Sequence, residues 1–183
     1  PISVAPNLGD AGTRRNPRVE RLRLAGRYRV WQTDFTRIEI SSGSIWWIAP
    51  VTDYYAAIVF AAHVSTRIAG RDAIDSIEAA IESAEALLGH SLLDDCTDHT
   101  TGEITPVIIA SDNGAAHKSS DFARFIASKP ELRPVRTRHY APETTASLNI
   151  NQSLKHEHLY RHNIIDCQDL NDRVLEYVTI YNN

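Results

Sequence analysis

Three short segments with the pattern of β-strands follow one another between residues 30 and 64, and the connections between them are too short to hold a helix. Apolar and β-branched residues dominate segments 30–40, 45–51 and 56–64. Ser41-Ser42-Gly43-Ser44 separates the first two segments and is typical of a hairpin turn. Sequential strands with short connections pair in antiparallel order. The pattern therefore predicts an antiparallel meander of three strands.

The second part of the chain changes to helices that alternate with strands. Isoleucines recur at helical spacing in segment 71–88, and Gly89 provides a helix stop. The apolar run 106–110 is suited to a buried strand. Further helices are predicted at 119–128, 144–161 and 168–181, and a further strand at 134–139. This order indicates a mixed α/β sheet that is covered by helices on both faces.

Length and composition favour a single globular domain. The chain has 183 residues, of which 43% are hydrophobic and 23% charged, which is enough for one sizeable core. No run approaches the roughly 18 apolar residues of a membrane-spanning helix, so we expect a cytoplasmic protein without a membrane partner. Residues 1–27 predict a basic, flexible lead-in, and the folded domain is expected over 28–183. The absence of Met and the initial Pro1 suggest a piece excised from a longer protein.

Charge is distributed unevenly along the chain. The net charge of −4 argues weakly against binding to nucleic acid, yet seven of the 19 basic residues are arginines between positions 13 and 29. Such an arm can hold a phosphate backbone, and it can equally be a solubilising tail. Cys96 and Cys167 lie far apart without a CxxC partner, and we interpret both as ordinary thiols.

Two aspartates stand at positions where their chemistry needs an explanation. Asp34 shares the parity of Ile38 and Ile40 along the first predicted strand, so its side chain points to an apolar face, where an isolated charge is costly. Asp112 follows the buried strand 106–110, at the end where α/β sheets commonly bind ligands. Taken singly, Asp34 could be a hydrogen-bonded structural carboxylate, and Asp112 could belong to a simple turn. Only the sequences around the two aspartates, taken together, favour a catalytic role that both residues share.

Five segments, two of them around these aspartates, share the pattern of one enzyme family. They are Trp31-Gln32-Thr33-Asp34-Phe35-Thr36; Val51-Thr52-Asp53-Tyr54-Tyr55; Ser111-Asp112-Asn113-Gly114 with Ser119 and Phe122; Leu154-Lys155-His156-Glu157; and Glu176-Tyr177-Val178-Thr179-Ile180-Tyr181-Asn182-Asn183. In order and spacing they resemble the DDE transposases of bacterial insertion sequences, which share the retroviral integrase core. The resemblance extends from about residue 29 to residue 183.

The resemblance implies a ribonuclease-H-like α/β fold, in which an antiparallel meander and two parallel strands form a mixed five-stranded sheet flanked by helices. It also implies DNA integration or transposition by metal-dependent phosphoryl transfer, with DNA cleavage and strand transfer. The implied cofactor is Mg²⁺ or Mn²⁺ in a two-metal site, where Asp34 bridges both ions and Asp112 binds one. DNA is the implied partner, and a homo-oligomer is the implied assembly. The residues implied to contact DNA are Asn113, Gly114, Gln152 and Lys155.

The third carboxylate of the family is absent from its expected place. The resemblance implies a Glu 36 positions after Asp112, where this chain has Leu148. In a regular helix, Leu148 would share the polar face with Asn151, Gln152 and Lys155. Leucine cannot bind a metal, so we expect one weakly held ion at best and impaired strand transfer. Glu143, in the preceding loop, is the candidate for a substitute acid.

Two other functions stay open. A catalytically inactive relative that binds DNA, or that partners with intact copies, is supported by Leu148. A structure-specific nuclease on the same fold is disfavoured by the C-terminal motif. Mn²⁺ titration would separate the active form from the inactive one.

Histidines form a weaker metal-binding pattern near the C-terminus. His156, His158 and His162 include a pair four residues apart, which could bind a metal ion from one side of a helix. The competing interpretation is a solvated polar helix surface.

Overall fold

The computed structural model describes residues 29–56, 58–136 and 145–183, without the side chains of 145–148. The predicted lead-in 1–27 and Tyr28 lie outside this range. Within it, six strands form one mixed sheet: β1 (Val30–Thr33), β2 (Thr36–Glu39), β3 (Ile45–Asp53), β4 (Val59–Ser65), β5 (Val107–Ser111) and β6 (Leu132–Arg136). β4 is at one edge and pairs with β3. On its other side β3 pairs with both β2 and β1, and β1 is followed by β5 and then by β6 at the opposite edge.

The single strand predicted over 30–40 is interrupted. β1 and β2 both pair with β3 in one antiparallel register, which runs from Trp31 opposite Asp53 to Glu39 opposite Ile45. Asp34 lies between the two pieces, and its carboxylate accepts a hydrogen bond from the backbone N–H of Phe35. Such local bonds compete with the strand ladder. The sheet therefore has six strands instead of the five expected, in an unchanged topology.

The hairpin turn between β2 and β3 is confirmed. Gly43 has a φ of 81°, which glycine adopts at little cost. Across the turn the Ile40 N–H donates to the Ser44 carbonyl at 3.0 Å. This turn fixes the register in which β2 pairs with β3.

The parallel half of the sheet brings two distant segments side by side. β1 pairs with β5 in parallel, with Val30 opposite Ile108 and Thr33 opposite Ser111. β5 in turn pairs with β6 in parallel. The carboxyl ends of β1 and β5 therefore lie next to each other at one edge of the sheet.

No helix among the described residues is long and apolar enough to cross a membrane.

Helices cover both faces of the sheet, as predicted. The helices are α1 (Gly70–Leu88), α2 (Leu92–Cys96), α3 (Ala115–Lys118), α4 (Ser120–Ala127), α5 (Thr145–Gln152) and α6 (Cys167–Asn182), with a π-helix (Ser153–His158) and a 3₁₀ turn (Leu159–Arg161) between the last two. α2 and α3 were not predicted.

Two apolar clusters hold these layers together. One lies under α1, where Ile77 packs with Trp31 and Ile109 of the sheet. The other lies under α5 and α6, where Leu154 and Leu170 pack with Ile48. All six side chains are fully buried, so each contributes about 1.5–3 kcal/mol to the folded state.

The predicted helix over 144–161 is wrong in its second half. Only Thr145–Gln152 is α-helical, and the π-helix Ser153–His158 has a wider turn. Asn151, which was expected on a polar face, is buried at 5% exposure, whereas Gln152 is exposed. A constant rotation of 100° per residue does not hold through the π-helix, so the faces predicted beyond Gln152 are not kept, whereas Asn151 is buried within the regular turns of α5.

The end of α6 is fastened to β4 by a side chain. Asn182 Oδ1 accepts from the Val59 N–H at 2.9 Å, and Asn182 Nδ2 donates to the Val59 carbonyl at 2.8 Å. The register of β4 against β3 shifts at this level, between Val51 and Thr52. Asn182 therefore satisfies both backbone groups of a buried residue beside an irregularity of the sheet.

Candidate functional site

Asp34 and Asp112 occupy equivalent places on neighbouring strands. Thr33 and Ser111 are the last paired residues of β1 and β5, and each aspartate comes directly after one of them. Adjacent strands lie about 4.8 Å apart, so the parallel pairing alone places both residues at one edge. The structure thus brings together the two aspartates that the sequence singled out.

Asp112 is held by two hydrogen bonds within its own loop. Its Oδ1 accepts from the Gly114 N–H at 2.9 Å and lies 2.9 Å from His117 Nδ1. A carboxylate in its ionised form can only accept, and His117 Nδ1 is then the donor. A Cβ at position 114 would lie 2.9 Å from Asp112 Oδ1 and 3.0 Å from Oδ2. Gly114 therefore allows the close approach that this carboxylate needs.

His117 is the site residue that the sequence analysis missed. Its side chain is 1% exposed and lies between two aromatic rings, with centroid distances of 5.6 Å to Phe35 and 5.4 Å to Phe122. Among the residues that the structure describes, none is a hydrogen-bond partner of its Nε2, and His117 lines a cleft of about 460 Å³ between α4 and β6. The available signal was a histidine five residues after Asp112, within reach once the intervening residues form the short helix α3.

Burial raises the pKa of the Asp34 carboxyl above its usual value, and the negative charge of Asp112 raises it further. The Phe35 backbone N–H, His117 and Lys155 act in the opposite direction but do not cancel these effects. The two carboxylates are therefore close enough to repel each other in a half-buried setting.

Lys155 and Gln152 occupy different surroundings, although the sequence grouped them as DNA contacts. Lys155, in the π-helix, is half-buried and interacts electrostatically with Asp34. Gln152 is exposed and lines a shallow depression together with Tyr181 of α6. Asn113 lies in the loop between Asp112 and Gly114 and is half-buried. Among these residues, the structure joins Lys155 and Gly114 to the aspartate pair.

The structure describes residue 148, the expected place of the third acid, only by its backbone. Leu148 belongs to α5, which also carries Gln152, but its side chain lies outside the described residues. Glu143, the candidate substitute, also lies outside them. Both predictions about the third ligand therefore stay predictions.

The donor set suits a hard divalent cation. Asp34 and Asp112 offer carboxylate oxygens, which are the ligands that Mg²⁺ and Mn²⁺ prefer. A cation between them would relieve the repulsion that contributes to the raised pKa of Asp34. The residues present therefore fit two of the three carboxylates of a divalent-metal site.

A mixed sheet in this order, with two carboxylates at the ends of its adjacent parallel strands, defines a ribonuclease-H-like α/β domain. The profile of the integrase core domain family matches residues 25–142. The chain belongs to this family. No match to a curated protein was found.

Solved structures of retroviral integrases share the fold. A chain of the simian T-cell lymphotropic virus intasome, in complex with the PP2A regulatory subunit B56 gamma, is 19% identical with a TM-score of 0.58. The match covers 82% of this chain but 46% of that one. The HTLV-2 integrase catalytic core domain in complex with magnesium is 18% identical with a TM-score of 0.54, and 82% of each chain is covered. For the catalytic core domain of BIV integrase the identity is 14% and the TM-score 0.52, over 82% of this chain and 81% of that one.

Proposed function

We propose that this domain carries out metal-dependent phosphoryl transfer on DNA, the chemistry of integration and transposition. The observation that carries the proposal is the Asp34 and Asp112 pair at the adjacent ends of β1 and β5. The integrase core family supports the choice of DNA as substrate. The HTLV-2 core, whose structure contains magnesium, supports the choice of metal.

Each residue of the site has a role in this proposal. Asp34 and Asp112 hold Mg²⁺ or Mn²⁺, which when bound would activate the attacking hydroxyl and stabilise the leaving oxygen. Gly114 and His117 orient the Asp112 carboxylate through the bonds to its Oδ1. Lys155 offers a positive charge beside Asp34, where a phosphate of the DNA backbone would approach. Asn113 and Gln152 are proposed as further DNA contacts.

The site is proposed to be weakened in this copy. With Leu148 in the place of the third acid, the second ion loses an anionic ligand, and strand transfer is expected to be slow. The same observation favours a second candidate function, in which the domain binds DNA or an intact copy without catalysis. Metal-dependent turnover separates the two.

The wider setting is part of the proposal. Structures of the HTLV-2 integrase catalytic core domain are described in dimeric and trimeric forms, which supports a homo-oligomer for this domain. We place the protein in the bacterial cytoplasm, on the DNA of an insertion element. Its DNA partner would be held by surfaces of several copies.

The proposal is tested with a branched DNA duplex that represents the joined product, because reversal of strand transfer uses the same carboxylates. The protein is incubated with the duplex and Mn²⁺, and resolved strands are quantified. Resolution that is lost in both Asp34→Asn and Asp112→Asn supports catalysis. Wild-type resolution at the level of these variants, with DNA still bound, supports the inactive relative.

A matched control keeps the comparison specific. Asp121→Asn removes a carboxylate that is 61% exposed on α4, away from the pair. This variant should resolve the duplex as the wild type does. Equal loss in all three variants would show that the reaction does not depend on the aspartate pair.

A further inference from the structure

A second group of metal-binding side chains comes together in the described part of the chain, apart from the aspartate pair. His158, His162 and Glu176 each offer one ligand atom, and these atoms all lie within 4.8 Å of one another. We propose that they form a site for Zn²⁺ or a similar transition-metal ion. The proposal is independent of DNA chemistry.

Three separate elements supply the ligands. His158 is the last residue of the π-helix, His162 follows the 3₁₀ turn, and Glu176 lies in α6. The two imidazole rings meet with centroids 5.2 Å apart at 61°. Residues from these elements therefore meet at one place, where a bound ion would link them.

The spacing is close to that of a coordinated ion. His158 Nε2 lies 3.7 Å from Glu176 Oε2. Ligands at about 2.0–2.2 Å from a tetrahedral zinc ion are about 3.3–3.6 Å apart. A small closure of the three side chains would therefore complete the coordination.

Exposure leaves the site one buried side and one open side. The His158 side chain is 13% exposed and that of Glu176 is 44% exposed. His162 is also exposed. An ion can therefore enter from solvent, and water can fill the remaining coordination position.

Arg173 holds the cluster when no ion is bound. Its Nη1 donates to Glu176 Oε2 at 2.8 Å, and its carbonyl accepts from His158 Nε2 at 2.9 Å, a hydrogen bond that an ion bound at Nε2 would replace. The hydrogen bond from Arg173, with smaller contributions from His158 and His162, lowers the pKa of Glu176. Arg173 also pairs with Asp169 at 3.5 Å, so it keeps a partner when the ion displaces it.

The donor set determines which ion binds. Two imidazoles and one carboxylate are the ligands of open zinc sites. Mg²⁺ requires oxygen ligands and binds imidazole poorly. The two sites of the protein would therefore select different ions, with the oxygen site taking Mg²⁺ and the histidine site Zn²⁺.

The test is calorimetric Zn²⁺ titration of the full chain carrying Asp34→Asn and Asp112→Asn, so that the aspartate pair does not contribute. We expect one Zn²⁺ per chain, bound at least tenfold more weakly after His162→Ala or Glu176→Gln. His156→Ala removes a neighbouring exposed histidine outside the cluster and should leave the affinity unchanged. In the parent, Co²⁺ should give the visible absorption of a tetrahedral nitrogen and oxygen site.

Thermal unfolding provides a second readout, because an ion that binds only the folded state stabilises it. Each tenfold excess of Zn²⁺ over its dissociation constant should raise Tm by about 3–6 °C in the parent. The same Tm for the parent and His162→Ala without zinc shows that the variant is folded. Unchanged zinc affinity in His162→Ala and Glu176→Gln, or an equal loss in His156→Ala, overturns the proposal.

Discussion

Asp112 keeps its orientation through contacts that are made within five residues of chain. The Gly114 N–H and His117 Nδ1 both bind Oδ1, and the buried ring of His117 cannot turn away because Phe35 and Phe122 flank it. A metal ligand that is fixed in this way loses less conformational entropy when the ion binds. The orientation of the Asp112 carboxylate thus depends on His117, which is not itself a proposed metal ligand.

His117→Phe tests this positioning role. Phenylalanine fits the same aromatic surroundings but cannot donate to Asp112, so Mn²⁺ affinity should fall about 10–100-fold. Calorimetric Mn²⁺ titration measures the loss, and an unchanged circular dichroism spectrum shows that the fold is intact. His99→Phe, at a histidine that is 71% exposed, is the matched control and should bind as the wild type does. Equal affinity in His117→Phe and the wild type would contradict the role.

Asp34→Asn tests how much the charge of Asp34 lowers the stability of the folded protein. The folded state raises the pKa of Asp34, through burial and Asp112, so it binds the proton more tightly than the unfolded chain does. Metal-free wild type therefore loses stability as pH rises through the folded pKa. At neutral pH, Asp34→Asn should be more stable than the wild type by about 0.5–2 kcal/mol. This gain should vanish when the pH falls below 3.8, the ordinary pKa of an aspartate carboxyl.

Urea unfolding across the pH range in which Asp34 titrates measures this difference. Asp98 provides a control of opposite sign, because backbone N–H groups of Thr100 and Thr101 lower its pKa. Its contribution is present above the unfolded value and is lost as pH falls, so Asp98→Asn should not stabilise the protein at neutral pH. A gain in Asp34→Asn that does not change with pH would contradict the electrostatic explanation.

Two irregular elements of secondary structure shape the site. The break between β1 and β2 frees Asp34 from the strand ladder, and the π-helix after α5 sets Lys155 beside Asp34. Both irregularities occur where the proposed chemistry lies. Local departures from regular structure are common at functional sites.

Asn182→Ala tests how α6 is attached to the sheet. Both backbone groups of Val59 would lose their hydrogen-bond partner in a buried position, so the variant should be less stable by about 1–3 kcal/mol. Chemical unfolding measures the change. Asn183→Ala, at the exposed neighbouring residue, should stay within about 0.5 kcal/mol of the wild type. Similar stability for both variants would show that the Asn182 amide contributes little.

Regular elements were predictable from sequence, whereas the irregular ones were not. The helix α1 follows from isoleucine spacing and ends at Gly89 as predicted, because both signals are local. The short helix α3 contains too few residues to show a periodicity, and it is this helix that carries His117 toward Asp112. Periodicity reveals neither the π-helix Ser153–His158 nor the packing that buries Asn151 near the end of α5. Motif spacing located Asp34 and Asp112, while the contacts that hold Asp112 required the folded chain.

For the domain as a whole, family membership and activity rest on different residues. The sheet order, the two cores and the match over residues 25–142 establish an integrase core domain. Catalytic power depends on how many carboxylates converge at its edge, and position 148 is Leu. The same fold can therefore carry either a weakened enzyme or a binding module.

Mn²⁺ titration by calorimetry, on the wild type, Asp34→Asn and Leu148→Glu, tests the central claim most directly. We predict that the wild type binds one Mn²⁺ weakly, that Asp34→Asn abolishes this binding, and that Leu148→Glu gains a second, tighter ion. Leu148→Gln is the matched control for a polar side chain without charge, and it should not gain the second ion. Mn²⁺ binding that is the same in the wild type and Asp34→Asn would contradict the assignment of the aspartate pair as the metal site.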